Sequence, residues 1–385
     1  MRVAFVGNMN QHAFVAVRHL RARGVSAELV MHGADAPEFH PSYDTFDLGY
    51  MDYVRTVPWG EATHFSAHTA EAVRAVLEGY DAIVAEGPIP AFLHRAGLRA
   101  RLILPYGADV SELPHLRFRR PSRGALASLP LFPLAQRAGL REAHFIGGTL
   151  SAEVREGLDT WGVRAARRPF PRIPMWDAEM GPDAIELVFR RSAWVHEVDV
   201  LRRRSDVILF HHGAPPMGAR GEPDGLAPAL VEALAAVRRD HPDVGVALVI
   251  LEAATGADVA LERAEELGLR EHVLVLPPLA RKELLVALAG CDIMVGSGEG
   301  TLAEGGVAID GLAANKRVLV FGAPEDAELP IVGVGSAEAV ARAVGDYIAS
   351  PASAKAASAA GRAFYEREVR DAGLRGLEEA LGISR

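Results

Sequence analysis

Short apolar runs rich in Val, Ile, Leu and Phe recur along the chain, separated by segments whose apolar residues return every three or four positions. This alternation is the pattern of a parallel sheet covered by helices on both faces, and it predicts an α/β protein. In the first half, strands are expected at Val3–Val6, Ala27–Met31, Ala82–Ala85, Arg101–Leu104 and Ala143–Ile146. Between the first two, Gln11–Arg23 carries Ala13, Phe14, Val17 and Leu20 at helical spacing, with Gly24 as a C-terminal cap. In the second half the pattern starts again, with strands at Val207–Phe210, Val246–Leu251, Val273–Leu276, Ile293–Val295 and Val318–Phe321. Helices of crossover length are expected between them, near Leu226–Arg239, Ala257–Leu267, Arg281–Ala289 and Val307–Ala314. Arg167–Arg191, with Pro169, Pro171, Pro174 and Pro182, reads as an irregular connection between two domains, 1–175 and 176–362. From Ala337 onward Ala-rich helices are expected, broken at Ser350–Pro351.

The 385 residues amount to about two domains of ~150 residues, and with 49% apolar residues each can bury a core. A single cysteine, Cys291, excludes an intramolecular disulfide, and the chain enters its first strand directly from Met1 and Arg2, so the cytoplasm is the expected location. The net charge of −9 argues against a nucleic-acid partner held by a broad basic surface. Ala125–Ala135 is interrupted by Pro130 and Pro133, so no segment reaches the ~20 apolar residues of a spanning helix. Phe118–Arg123 followed by Leu129–Leu134 combines basic, aromatic and apolar residues suited to peripheral contact with an anionic membrane or to a greasy acceptor. Its two prolines make a loop the expected conformation.

Ligands of open parallel sheets sit beyond the carboxyl ends of the strands, which directs attention to the loops there. The loop Gly7-Asn8-Met9-Asn10-Gln11-His12 offers a close backbone approach and free amides for an anion, or else an ordinary turn with an Asn cap. The loop from His211 to Gly221 is rich in Gly and Pro and contains Arg220, either a phosphate partner or a solvated cation. In Gly296–Val318, Gly305 and Gly306 expose amides at a helix start. Asp310, one turn on and among apolar neighbours, is placed to accept two hydrogen bonds from a vicinal diol; the alternative is a solvent-facing helix residue. Gly296, Gly298 and Thr301 imitate a dinucleotide fingerprint, but Gly322 stands where an acid should close the next strand. His64 and His68 lack an HExxH frame, no Asp-x-Asp holds a metal–diphosphate, and no Gly-x-Ser-x-Gly elbow is present, so neither a metal nor a nucleophilic serine is indicated.

From Val207 to Val320, and in particular in Val273–Val275, Leu288–Val295 and Gly305–Leu319, the chain resembles retaining glycosyltransferases of the family 4 type. The likeness extends over nearly the whole length, and Tyr106-Gly107-Ala108-Asp109-Val110 is similar to that family's His-Gly-Ser-Asp segment. The resemblance implies a GT-B architecture, two Rossmann-like domains facing a cleft, with a last helix at about 363–385 returning to the first domain. It further implies a nucleotide-sugar donor, UDP-linked rather than GDP-linked, and an acceptor hydroxyl of unstated class, with no cofactor and no metal. By the same likeness Asp310 binds the donor ribose, Gly305 and Gly306 its sugar and diphosphate, and Gly7, Asn8 and Asn10 face that diphosphate. Tyr106 and Asp109 fall on the acceptor side.

The sequence also departs from the family. Leu302 stands at the first acid of the Glu-x7-Glu motif, leaving Glu299 or Glu304 as displaced substitutes. Gly213-Ala214 stands for Gly-Arg, and only Arg220-Gly221 matches Lys-Gly, with His211 or His212 to compensate. The catalytic set implied is therefore Arg220, Glu304 and Asp109. An epimerase acting on the nucleotide-sugar, or a degenerate transferase homologue serving as a partner subunit, are the alternatives.

Overall fold

The computed structural model describes residues 1–33, 37–115, 131–212, 226–252, 254, 256–297, 307–322 and 329–383. It divides into two compact units, Met1–Trp176 with Val369–Arg385, and Asp177–Glu368.

The first unit is built on seven strands, β1 (Arg2–Val6), β2 (Ser26–His32), β3 (Val54–Val57), β4 (Ala82–Ala85), β5 (Leu102–Ile103), β6 (Phe145–Gly148) and β7 (Ala166–Pro169). Their order is β3-β2-β1-β4-β5-β6-β7, with every pairing parallel. Alternate residues of β1 enter different cores. Ala4 and Val6 pack with Phe92 and Phe132 on one face, and Val3 and Phe5 with Phe14 and Leu377 on the other. This two-sided burial is why the strand reads as an unbroken apolar run.

The second unit repeats the plan with β8 (Val207–His211), β9 (Val246–Leu251), β10 (Val273–Leu276), β11 (Ile293–Ser297), β12 (Arg317–Phe321) and β13 (Val332–Val334). The order is β10-β9-β8-β11-β12-β13, again all parallel. Val207 and Leu209 face the core of Leu230 and Leu234, while Ile208 and Phe210 face that of Val249 and Leu288. Both sheets therefore follow the expected doubly wound α/β class, and in each the order reverses beside the first strand, at β1/β4 and at β8/β11.

Three strands escape the hydrophobic pattern: β3, β7 and β13. All three are edge strands with a single neighbour, and β3 and β7 read Val-Arg-Thr-Val and Ala-Arg-Arg-Pro. An edge faces water on one side, so no apolar run is required there, and charged side chains on it discourage pairing with another chain. The expectation that Arg167–Arg191 is irregular is corrected accordingly, since it contains β7 and the helix Pro182–Arg191 with Pro182 in its first turn. Leu131–Glu142 is likewise a helix and not a loop. Pro133 lies in its first turn, where the missing N–H has no intrahelical partner to lose. Phe118–Arg123 lies outside the described residues. Among those described, no helix is long and apolar enough to cross a membrane.

The helix Ile89–Ala96 packs on Leu131–Glu142 through Gly139, where an added Cβ would lie 2.0 Å from the Pro90 carbonyl oxygen. Backbone meets backbone there, so the clash cannot be relieved by turning a side chain. Gly139→Ala is expected to destabilise the first unit by about 1–3 kcal/mol, read as a lower urea midpoint with unchanged slope.

Candidate active site

In the first unit, polar groups collect beyond the carboxyl ends of the strands that flank the order reversal. The chain leaves β1 at Gly7, whose φ is 98° and where an added Cβ would lie 3.2 Å from the Glu86 Cβ, so no larger side chain fits without strain. Asn8 is buried, and its polar atoms are spent inside the loop. Its amide nitrogen donates to the Gln11 Oε1 (2.9 Å) and the Phe39 carbonyl (2.6 Å), and its Oδ1 accepts from the Phe14 N–H (2.9 Å). Asn8 thus caps the helix His12–Ala22 from a distance. Asn10 is exposed, and both it and Gln11 hold positive φ, 52° and 63°. Non-glycine residues persist there only under external restraint. Gln11 supplies it, donating to the Glu38 and His40 carbonyls at 2.7 and 2.8 Å.

Glu86 follows β4 and is 3% exposed. Its Oε2 accepts from the Met9 N–H at 3.1 Å, while its Oε1 lies 3.3 Å from the Tyr106 hydroxyl. That hydroxyl also lies 2.8 Å from the Met9 carbonyl oxygen, which can only accept. A phenol has one proton. It goes to the carbonyl, and Glu86, carrying a proton of its own, donates to the phenol oxygen. The ring Met9 N–H to Glu86, Glu86 to Tyr106, Tyr106 to Met9 C=O then closes with each group used once. Burial pushes the Glu86 carboxyl up to about 8 against the pull of Arg172, in keeping with a neutral acid, and burial raises Tyr106 well above its ordinary value.

Asp109 lies just beyond β5, in the short helix Ala108–Ser111 that Gly107 opens at φ 106°. Its Oδ1 accepts from the Tyr106 N–H at 2.9 Å; its Oδ2 is buried with no hydrogen bond among the described residues. Burial lifts this carboxyl to about 6, opposed by backbone donors and by Arg172. Arg172, just past β7, lays its guanidinium 3.8 Å from the centre of the Tyr106 ring and donates to the Pro105 carbonyl. Beside Tyr106 and Arg172 a cavity of about 30 Å³, also lined by His12 and Phe170, has room for one water. Gln136 supports the arrangement, donating to the Gly87 and Asp109 carbonyls and accepting from the Ala91 N–H.

In the second unit, β8 ends at His211, fully buried, whose Nδ1 donates to the Val295 carbonyl at 3.0 Å across the order reversal. This bond fixes the tautomer and leaves Nε2 as the acceptor. His212 is half-buried beside Phe210. Asp310 sits in the helix Val307–Ala313, held close to the sheet because Gly311 meets the Met294 Sδ at 2.7 Å for an imagined Cβ. The Asp310 carboxylate is only 15% exposed and lies 3.9 Å from the Arg281 guanidinium, so it is not the solvent-facing residue of the alternative reading. Gly213, Arg220, Glu299, Glu304, Gly305 and Gly306 lie outside the described residues.

The structure thus brings Gly7, Tyr106 and Asp109 together in the first unit and sets His211 and Asp310 in the second. Sequence reasoning missed Glu86, Arg172 and Arg281. Glu86 did leave a signal, a carboxylate directly after an apolar strand, Ala85-Glu86-Gly87. Arg172 and Arg281 left none, because each is defined by a partner far away in sequence.

No protein-family model matches the chain. No curated protein matches it either. Solved structures do. A glycosyltransferase from Rickettsia africae ESF-5 is 14% identical, with a TM-score of 0.57 over 100% of this chain and 99% of that one. Anabaena HepE in complex with UDP and glucose is 15% identical, with a TM-score of 0.58 over 99% of both chains. UDP-GlcNAc 2-epimerase from Neisseria meningitidis bound to UDP-GlcNAc is 11% identical, with a TM-score of 0.59 over 100% of both chains. These likenesses establish the fold, an α/β protein of GT-B type with two Rossmann-like domains.

The Glu86 proton has a consequence for stability. The folded chain keeps it up to about pH 8, whereas an unfolded carboxyl loses it near 4.5. Over that window the folded state binds more protons than the unfolded one, so stability falls as pH rises, and Asp109 adds a slope of the same sign between 3.8 and about 6. Glu86→Gln keeps the donor and acceptor of the neutral acid without its ionisation. Its Tm relative to the parent is expected to rise steadily from pH 5 to about 8, and a difference independent of pH would contradict the neutral acid.

Proposed function

We propose that the chain is a nucleotide-sugar-dependent glycosyltransferase, taking a UDP-linked sugar in its second unit and an acceptor hydroxyl in its first. Asp310 carries the reading. It stands on the helix that follows β11, at the order reversal where doubly wound sheets bind nucleotides, as an acid suited to a ribose diol. Supporting it is the likeness in fold to proteins whose names include glycosyltransferases and UDP complexes. Arg281 stands within ion-pair reach of this carboxylate, 3.9 Å from its Oδ1.

Transfer proceeds with retention, the acceptor oxygen attacking from the face the nucleotide leaves while a diphosphate oxygen takes its proton. No protein nucleophile and no metal is required. What the protein must supply is positive charge on the departing diphosphate, since electrostatic stabilisation of developing charge usually lowers the barrier more than any other single effect. Arg220 is assigned that part, with the amides of Gly305 and Gly306 and the side chain of Glu304 on the transferred sugar. Tyr106 and Asp109 hold the acceptor. The family 4 assignment, the domain limits 1–175 and 176–362, and the cytoplasmic location belong to the same proposal. Asp310→Ala is expected to weaken UDP binding by about tenfold or more in calorimetry without lowering Tm, because it removes hydrogen bonds to a charged acceptor. Unchanged affinity would remove the assignment.

A second reading, epimerisation of the nucleotide-sugar, is favoured by one observation. Glu86 and Asp109 are two carboxyls held at about 8 and about 6 beside the same tyrosine. Two such groups suit a proton taken from one position and returned at another, work that a retaining transfer does not ask of the protein. Incubation of the UDP-sugar without any acceptor separates the readings. A transferase leaves the sugar's NMR spectrum unchanged apart from slow hydrolysis, and an epimerase produces a second set of sugar resonances. Turnover of either kind by the isolated chain excludes a role as an inactive partner subunit.

A further inference from the structure

The second unit has another concavity, at the opposite end of its sheet. A cavity of about 330 Å³ opens between the start of β12, the start of β13 and the helices Ala337–Ala349 and Pro351–Phe364. Its polar lining is Arg317, Asp346, Tyr347, Ser350 and Ser353, and its apolar walls are Val332 and a set of alanine methyls. Five residues of β12 span about 13 Å, so Arg317, at the amino end of that strand, stands far from the carboxyl ends where Asp310 and His211 lie. The volume is at the small end of the range for metabolite pockets.

Arg317 is the unusual member. Three other cations of this region are engaged. Lys316 donates to the Ala289 and Cys291 carbonyls at 2.6 and 2.7 Å, Arg202 forks onto Asp292, and Arg362 reaches Glu366 and the Ala313 carbonyl. The Arg317 guanidinium, on a half-buried residue, has neither a hydrogen bond nor an ion pair among the described residues, although its backbone N–H donates to the Asp292 carbonyl. A guanidinium partly withdrawn from water without an acceptor is costly, and an anion in the cavity would offset that cost. The helix Pro351–Phe364 begins at the same cavity. Its N-cap, Ser350, makes no side-chain capping bond, and Ser353 in its first turn adds a second hydroxyl. Asp346, on the rim, and Tyr347, whose hydroxyl lies 3.5 Å from the Asp292 Oδ1, are polar groups an anion alone would not use.

We propose that this cavity is a second ligand site, taking a phosphate monoester of a hydroxylated carbon skeleton, of which a hexose phosphate is the type. The phosphate meets Arg317, Ser350, Ser353 and the helix start; the hydroxyls donate to Asp346 and exchange hydrogen bonds with Tyr347; the carbon face lies on Val332 and the alanines. The site is independent of the nucleotide-sugar reading, since it uses none of that reading's residues.

The test is calorimetric titration of the full chain with glucose 6-phosphate, inorganic phosphate and UDP. Glucose 6-phosphate is expected to bind with UDP present, and more tightly than inorganic phosphate. Arg317→Gln is expected to weaken it by about tenfold or more, while UDP affinity stays unchanged. Ser353→Asp places a carboxylate in an exposed first turn, where the helix tolerates it, and is expected to weaken glucose 6-phosphate similarly, keeping the test decisive if the arginine variant misfolds. Absence of glucose 6-phosphate binding, displacement of it by UDP, equal affinity for inorganic phosphate, or indifference to both substitutions would each overturn the proposal.

Discussion

A parallel sheet covered by helices on both faces has no dry place for a polar side chain, and this constraint shapes the rest of the molecule. β1, β4, β8 and β9 lie between two layers of apolar side chains, so a carboxylate along any of them would be stranded. Chemistry is left to the loops where strands end, and it concentrates beside the order reversals, where neighbouring connections leave in opposite directions and open a crevice. Glu86, Tyr106, Asp109 and Arg172 reach one such place from the ends of β4, β5 and β7. His211 reaches the other.

Within the first unit the crevice is held by a proton. Glu86 is too buried to be charged without cost, and its neutral form completes a ring of hydrogen bonds that ties the β1 loop to Tyr106. The ring couples an otherwise strained loop, with two non-glycine residues at positive φ, to the rigid end of β4. Asp109 next to it is only moderately displaced, because the Tyr106 amide donates to it. The same tyrosine therefore sits between two carboxyls of different acidity, a division of labour that lone carboxylates in water do not have.

In the second unit precision comes from close packing. Gly311 lets the helix Val307–Ala313 sit against Met294 and Val318, and Asn315, at φ 59°, ends that helix in the left-handed turn that lets Lys316 fold back onto the Ala289 and Cys291 carbonyls. Asp310 is presented by this tightly docked helix, within ion-pair reach of Arg281. A ligand group placed on a docked helix is held more sharply than one on a loop.

Much of this was legible along the chain. The α/β class, ten of the strands and the boundaries of the helix Arg281–Ala289 follow from periodicity, because burial on both faces writes itself into sequence as apolar runs. Asp310 stood out as an acid among apolar neighbours one turn beyond Gly305 and Gly306, and Asp109 through the likeness of Tyr106–Val110 to a family segment. The edge strands β3, β7 and β13 did not, since an edge exposed to water needs no pattern. Nor did the pairing of Arg281 with Asp310, the proton on Glu86 or the Arg317 side chain that has no partner among the described residues, each of which depends on which remote group arrives beside it. Local sequence determined where the chain turns from core to surface. Tertiary structure alone decided which polar groups meet there, because pKa, ion pairing and hydrogen-bond direction are properties of neighbours in space.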